Sequence, residues 1–427
     1  MKLVVFGGGS SYTPELIHGL IRQHEALPVS EVCLTDINET RLNILTGLSQ
    51  RMFAKAGLQV RVTATMDRRQ ALEGARFVNS LIRVGGMEAR INDEKIPLKY
   101  NIIGQETTGP GGMMKALRTI PVMLDLAKDM SEVCPEAWLI NYTNPSGIIA
   151  EALGKHGKVR YVGLCSGPKE WIAHVLRLMD VDPLRANVDW MGLNHLGFVT
   201  RVWVDGRDAT AQAIEAAAQA WAIDGEPLRT LGVIPASYLR YYYHHDMVVA
   251  RAQEPGRLTR GEQVREIEAD LLRQYANPEL AEKPELLKKR GGGGYADVAL
   301  AAMTAIYHNK GERQIIQVLN QGAIDDLPAD AAVEAPCLVD RMGPHPLRMG
   351  AIPLPIRGLV QAVKAYESLT VQAAIEGSKR VAMQALMAHP LVRSWEVAKP
   401  LLEELLAANR RWVPWAAQPG IQRSQYH

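Results

Sequence analysis

Long apolar runs are missing from this sequence. No stretch approaches the roughly 18 consecutive apolar residues of a membrane span. The opening MKLVVFGGGSSYTP has an apolar run of four residues that breaks into glycines, unlike a secretory leader. No membrane association is expected. Charge of one sign is lacking too: 48 Lys and Arg stand against 46 Asp and Glu, a formal net charge of +2. That leaves no basic field for nucleic acid and no acidic tail. Cysteine is scarce, and Cys33, Cys134, Cys165 and Cys337 are too scattered for a disulfide framework. A reduced, cytoplasmic protein is the expectation. The 427 residues suffice for one large two-lobed enzyme or for two to three domains.

What is present begins with alternation. KLVVF at residues 2–6 runs into Gly7-Gly8-Gly9, and Pro14 opens a helical pattern. That is strand, tight turn and helix, with proline in the first helical turn, where its missing N–H costs little. VCLTD ends a second strand at Asp36, and Asn38 is placed to cap the helix containing RLNILTGLSQRMF. VRVTAT, a short helix and RFVNSLI continue the pattern. A glycine-rich loop over about 85–113 should lead to a helix near 115–130, the strand AWLINYTN, the helix SGIIAEALGKHG and the strand YVGLC. Strands alternating with helices predict a parallel, doubly wound sheet over roughly the first 170 residues. Beyond it, WMGLNHLGFVTRVWVDGRD carries strand-like segments and a DG turn signal, hence antiparallel structure. The rest reads as mainly helical, including ATAQAIEAAAQAWA, REIEADLLRQYA and VQAAIEGSKRVAMQALMAHP.

In a nucleotide-binding turn, glycines let the backbone approach a pyrophosphate that sits on a helix N-terminus. Gly7 and Gly9 fit the first two positions of GxGxxG, with Ser10 and Ser11 following, but Tyr12 stands at the third. Asp36 ends the next strand where a residue hydrogen-bonding an adenosine ribose is expected. An acid there favours NAD over NADP, because a 2′-phosphate would be repelled. The plainer reading is a tight turn and a solvated strand end.

Cys165 stands at the mouth of one strand and His195 at the end of the next apolar stretch. A thiolate and an imidazole converging on one ion suit Mn, Fe, Co or Ni and leave positions open for substrate oxygens. Equally, Cys165 reads as a small buried hydrophobe and His195 as a satisfied core histidine. Composition and spacing leave both open.

GGGSSYTPEL, GQETTGPGG, INYTNPSG, GLC, GLNHLGF, SYLRYYY and KKRGGGGY occur in an order that closely resembles glycoside hydrolase family 4. The likeness extends through VEAP, YESLTVQAAIEG and HPLV over essentially the whole chain, and is greatest to the 6-phospho-β-glucosidases. NAD-dependent family 4 stands apart from the usual two-carboxylate glycosidases. The resemblance implies a Rossmann-type parallel sheet, akin to lactate and malate dehydrogenases, over residues 1–170. A mainly helical α+β lobe over 171–427 would bind metal and substrate and serve oligomerisation. It implies NAD and a divalent metal, usually Mn²⁺, as cofactors, with Cys165 and His195 as the metal ligands. It also implies a phosphorylated β-glucoside as substrate and a homodimer or homotetramer.

The cycle implied by the family starts with hydride transfer from the sugar C3 to NAD⁺, which makes the C2 proton acidic. Elimination then expels the aglycone, water adds, and the hydride returns to C3. A tyrosine is the family's base, and Tyr238, opening the YLxYY pattern, matches its position; a nearby cation would lower its pKa. Asn144, after a strand in the TNPSG turn, would touch cofactor and sugar, or else close an Asx turn on its own backbone. Glu106 would assist proton transfer to the leaving oxygen. Asn194 is a substrate-binding candidate. For a 6-phosphate the candidates are Arg83, Arg90, Arg260 and Arg290, since bidentate arginine suits phosphate. The run Gly291–Gly294 reads as a loop over the sugar or as a flexible connection. One departure stands beside the metal position: after Cys165 the chain has Ser166-Gly167-Pro168 where the phospho-β-glucosidase pattern commonly reads Asn-x-Pro. The rival readings are an α-glycosidase of the same family, a 2-hydroxy-acid dehydrogenase, and a non-catalytic NAD or sugar-phosphate sensor.

Overall fold

Six short strands make the framework: β1 (Lys2–Phe6), β2 (Glu31–Thr35), β3 (Arg61–Thr65), β4 (Ala75–Ser80), β5 (Trp138–Asn141) and β6 (Arg160–Gly163). In the computed structural model, which describes residues 1–291 and 293–417, they pair in parallel in the order β3-β2-β1-β4-β5-β6. The order reverses between β1 and β4, where a doubly wound sheet opens a crevice at its carboxyl ends. The central strands are apolar on both faces, as buried parallel strands must be: Val4, Val5, Leu34, Val78, Leu139 and Ile140 are fully buried.

Helices α1 (Thr13–Arg22), α2 (Glu39–Lys55), α3 (Arg68–Leu72), α4 (Gly86–Leu98), α5 (Gly109–Val133), α6 (Ser146–His156) and α7 (Gly167–Leu178) fill the connections. The expected signals act where they stand. Pro14 lies in the first turn of α1, and the Asn38 side chain accepts the Arg41 N–H to cap α2. The segment 85–113, expected as a loop, instead holds α4 and the start of α5. Its glycines mark the points where those helices begin: Gly85 and Gly109 have φ of 84° and 64°.

The lobe after residue 170 is mainly helical, but it also carries β11 (Glu312–Leu319), β12 (Ala332–Asp340) and β13 (Gly343–Pro346). These strands add antiparallel to β6 and make one sheet of nine. The sheet therefore runs across the expected boundary at 170. A second sheet is built on the antiparallel hairpin β7 (Ala186–Leu193) and β8 (Leu196–Val204), with β9 (Arg207–Asp208) and β10 (Ile234–Pro235) paired to β8. The DG signal holds: Asp205 and Gly206, both at positive φ (49° and 76°), form the two-residue turn into β9. No described helix is long and apolar enough to cross a membrane.

The two parts of the large sheet meet where Gln317 of β11 pairs with Gly163 of β6. A Cβ on Gly163 would stand 2.8 Å from Gln317 Cβ and 2.9 Å from its carbonyl oxygen. Gly163→Ala is therefore expected to lower the unfolding free energy by about 1–3 kcal/mol in urea titrations. Gly358→Ala, in open space within the helix Leu354–Glu376, should raise it by up to about 1 kcal/mol. Equal stability of the two variants would show that the sheet junction tolerates a side chain.

Candidate active site

The carboxyl ends of β1, β2, β4, β5 and β6 open on a cavity of about 1460 Å³. At one end lies the glycine turn. Gly7 has φ +94°, and a Cβ there would meet the Leu81 backbone at 2.9 Å. The Gly9 N–H donates to Asp36 Oδ2 at 2.9 Å, and Arg41 Nε donates to the Gly9 carbonyl at 2.9 Å. Turn and acid are thus locked together, and Ile37 beside them is 94% exposed on the cavity wall, an apolar surface for a flat ring. Ser10 lines the cavity. Ser11 does not: it is fully buried, its hydroxyl donating to Glu268 Oε1 (2.8 Å) and accepting from Arg290 Nε (3.3 Å), so its expected cofactor contact is corrected. Asn144 lines the cavity while its Oδ1 accepts the Ser146 N–H at 3.3 Å.

At the other end Cys165, two residues beyond β6, faces His195, with Sγ and Nε2 3.8 Å apart. Asn194 and His195 are the whole turn between β7 and β8, since Leu193 pairs with Leu196. His195 therefore takes a left-handed conformation, φ +63°, that ordinarily falls to glycine. Its ring stacks on Tyr238 at 4.0 Å and 1°. Burial, with the Glu334 carboxylate adding to it, pushes the Cys165 thiol up to about 12. Burial, with Lys115 nearby, takes His195 down to about 4. At neutral pH the pair is an uncharged thiol and an uncharged imidazole whose Nδ1 is buried without a partner. Metal–sulfur and metal–nitrogen bonds of roughly 2.3 and 2.1 Å at a tetrahedral angle span about 3.6 Å, so the pair fits two ligands of one ion. Among the described residues no group of three or more His, Cys, Asp or Glu could hold a metal. An ion here would keep open positions. Asn194, expected on the substrate, is not among the residues lining the cavity: its Nδ2 donates to Glu334 Oε1 at 3.1 Å and its amide also hydrogen-bonds the Cys165 sulfur, which commits the side chain behind the ligand pair.

Between the two ends stands a charged wall. Arg83, Arg90, Arg260 and Arg290 all line the cavity. Glu106 takes Arg83, Arg90 (3.1 Å) and Lys115 (2.7 Å). Burial opposes its charge, yet Arg83, Lys115 and Arg90 together hold its carboxyl well below the usual range. An acid this strong keeps no proton to give at neutral pH, so the expected proton-transfer role does not fit. Arg260 donates to the carbonyls of Lys289 (2.8 Å) and Arg290 (3.2 Å), and Arg290 lies over the Tyr12 ring at 4.5 Å. Of the run Gly291–Gly294, Gly292 lies outside the described residues.

Lys115 was not expected. It is 3% exposed, and burial and Arg83 bring it down to about 7. Its signal was a lone charge inside the apolar stretch GGMMKAL. Arg411 and Trp412, far along the chain, also reach the cavity; no local pattern marks them.

Residues 2–185 match the family described as Family 4 glycosyl hydrolase, and residues 190–392 match its C-terminal domain. A probable 6-phospho-beta-glucosidase of Bacillus subtilis is 44% identical over 430 residues, covering 97% of each chain. A 6-phospho-beta-glucosidase of Escherichia coli is 39% identical over 438 residues, 97% of this chain and 96% of its own. The 6-phospho-beta glucosidase structure from Thermotoga maritima with manganese, NAD+ and glucose-6-phosphate superposes with a TM-score of 0.90 at 34% identity, over 96% of this chain and 99% of the other. A malate dehydrogenase from Plasmodium falciparum, at TM-score 0.55 and 11% identity over 88% and 99% of the chains, shares the fold alone.

The wall generates its own test. Glu106→Gln leaves Arg83, Arg90 and Lys115 recessed without their shared anion, and should cost about 3 kcal/mol of unfolding free energy. Unchanged stability would mean that these cations are solvated rather than held by Glu106.

Proposed function

The chain belongs to glycosyl hydrolase family 4, and on that premise we propose that it hydrolyses 6-phospho-β-glucosides with NAD and a divalent metal as cofactors. Mn²⁺ stands first among metals that include Fe, Co and Ni. The observation that carries this reading is the 3.8 Å approach of Cys165 and His195 beside Tyr238, in the same cavity as the glycine turn and Asp36. The relatives named for the β-linked phosphosugar support the substrate class. The cavity, larger than the roughly 300–1,000 Å³ of most small-molecule sites, suits two ligands at once.

Gly7, Gly9, Ser10 and Asp36 hold the dinucleotide, the acid addressing the ribose. Cys165 and His195 hold the ion. When bound, NAD⁺ supplies a reversible hydride acceptor for the sugar C3, and the ion supplies positive charge that stabilises a developing enolate and lowers the pKa of groups beside it. Tyr238 carries the proton step at C2. Burial, with Cys165, Tyr241 and Glu106 around it, pushes its phenol well above the ordinary value. It therefore acts as a base only where a cation compensates. The C1–oxygen bond would break as the C2 proton passes to Tyr238, the aglycone leaving with a proton from water, and water would add across the resulting double bond as Tyr238 returns its proton to C2. Arg83, Arg90, Arg260 and Arg290 outnumber the acids they meet and form the wall for the 6-phosphate, with Asn144 on the sugar. The first 170 residues supply the dinucleotide site together with Cys165, Asn144, Arg83 and Arg90, and the rest supplies His195, Tyr238, Arg260 and Arg290. Exposed Leu354, Trp395 and Met387 on the C-terminal helices support self-association.

Release of an aryl aglycone from a β-glucoside 6-phosphate tests the reading. Cleavage should require both NAD⁺ and Mn²⁺, with no net accumulation of reduced nicotinamide. Cleavage of the unphosphorylated or the α-linked sugar alone would overturn the substrate, and net nicotinamide reduction with a hydroxy acid would overturn the reaction. Tyr238→Phe should lose about 10²- to 10⁴-fold in kcat while NAD⁺ and Mn²⁺ still bind. Because the thiol is pushed up to about 12 and the imidazole down to about 4, ion uptake near neutral pH releases one proton, from Cys165. Apparent affinity should rise about tenfold per pH unit in that range, by calorimetry in buffers of different ionisation heat. A flat profile would exclude the thiolate as a ligand.

A further inference from the structure

The VEAP segment has no part in the chemistry above, yet it places a carboxylate behind the metal ligands. Glu334, on β12, is 2% exposed. Its Oε1 accepts from Asn194 Nδ2 (3.1 Å) and Gln317 Nε2 (3.0 Å), and its Oε2 accepts from Trp190 Nε1 (3.1 Å). No lysine, arginine or histidine pairs with it among the described residues. A buried carboxylate held by neutral donors alone is a costly choice for a core, so what it holds is informative.

It holds two arms. Trp190 belongs to β7, and Asn194 is half of the turn that presents His195 in its left-handed conformation. Gln317 sits opposite Gly163 on β6, and its own Oε1 accepts from the Ser146 hydroxyl. That hydroxyl also lies 3.3 Å from the carbonyl of Leu164, the residue before Cys165. One carboxylate thus ties the turn of the small sheet to the strand end of the large one. These are the two segments that carry the sulfur and the nitrogen.

We propose that Glu334 is a positioning residue for the metal site, fixing the Asn194–His195 turn against the end of β6 so that Cys165 Sγ and His195 Nε2 meet a single ion. The inference rests on the metal reading of that pair. Three donors converge on Glu334, and an amide in its place cannot accept from all three. Trp190 Nε1 is a donor only and cannot turn round. In Glu334→Gln the amide oxygen therefore stays on Trp190, its NH2 group opposes both the Asn194 and the Gln317 N–H donors, and both arms are disturbed.

The test is a Co²⁺ titration of the full chain, followed by thiolate-to-cobalt charge-transfer absorption, for the unaltered protein, Glu334→Gln, Asn194→Ala and the double variant. Asn194→Ala keeps the carboxylate and cuts the arm, together with a hydrogen bond to the Cys165 sulfur. Each single variant should bind Co²⁺ roughly 10- to 100-fold more weakly, the range for partners that orient metal ligands. The double variant should be no weaker than Glu334→Gln, with NAD⁺ affinity unchanged. Wild-type affinity in either single variant, or losses that multiply in the double, would overturn the role of Glu334. A lower Tm with affinity kept would also overturn it, since that is the mark of a merely structural residue. Should Glu334→Gln fail to fold, Gln317→Ala, which cuts the other arm to Glu334, decides by the same readout. Absence of a charge-transfer band in the unaltered protein would instead overturn the metal reading, and this inference with it.

Discussion

The distance between Cys165 and His195 depends on the packing of two sheets. The sulfur follows β6 in the large sheet, and the imidazole rides the hairpin turn of the small one. Neither sheet alone fixes the 3.8 Å gap. What fixes it is β12, which joins the large sheet and lies against β7, so that Glu334 reaches Trp190 and Asn194 across the join. The antiparallel addition β11–β13 is therefore a part of the site, although its strands lie more than a hundred residues past the hairpin. An ordinary nucleotide-binding sheet that stopped at β6 would have the glycine turn and Asp36 but nothing to brace the second half of the cavity.

A second constraint is charge. Arg83, Arg90 and Lys115 share Glu106, and Arg90 has Glu94 as well at 2.8 Å. Arg290, drawn below its usual value by burial and by neighbouring Arg83 and Arg90, leans on Glu268 and the Tyr12 ring. Cations exceed anions on this wall, and a recessed excess of guanidinium stays soluble in the protein only because the cavity is open to water or to an anion. The same wall explains why Glu106 is a fixed anion: its proton is displaced by three neighbours, and it acts by holding them.

How much of this could be read beforehand depends on whether the cause was local. The strand–turn–helix at the start, the Asn38 cap, Asp36 at a strand end and the Asp205-Gly206 turn are decided within a few residues, and they stand as expected. The segment 85–113 misled because its glycines were read together as a loop, whereas Gly85 and Gly109 only start helices. Strands β11 and β12 were hidden for a different reason: they pair with each other along their length, and what makes them part of the large sheet is the single distant pair Gln317–Gly163, which leaves no local trace. Ser11 differs again: the sequence does not say which of two neighbouring serines turns to the cavity, and Glu268 holds the Ser11 hydroxyl inside. Lys115 and Glu334 were visible as lone charges in apolar runs, a pattern that marks burial without naming the partner.

Burial finally limits what the site can do unaided. It raises the Cys165 thiol and the Tyr238 phenol alike, and it lowers His195, so at neutral pH the reacting corner carries a thiol, a phenol and a neutral imidazole. None of these is a base strong enough, in its buried form, to take a carbon-bound proton. Lys115 acts on His195 and Arg240 on Tyr238, but burial draws Lys115 down to about 7 and Glu106 already engages it, and Arg240 leaves the Tyr238 phenol well above its ordinary value. Removing protons from sulfur and phenol together requires a compact charge of +2 rather than a shared ammonium, since each deprotonation adds an anion to the same desolvated corner. A thiol and an imidazole at ligand spacing are the means by which a protein holds such a charge. The desolvation that leaves the corner inert on its own is thus the reason a divalent ion suits it.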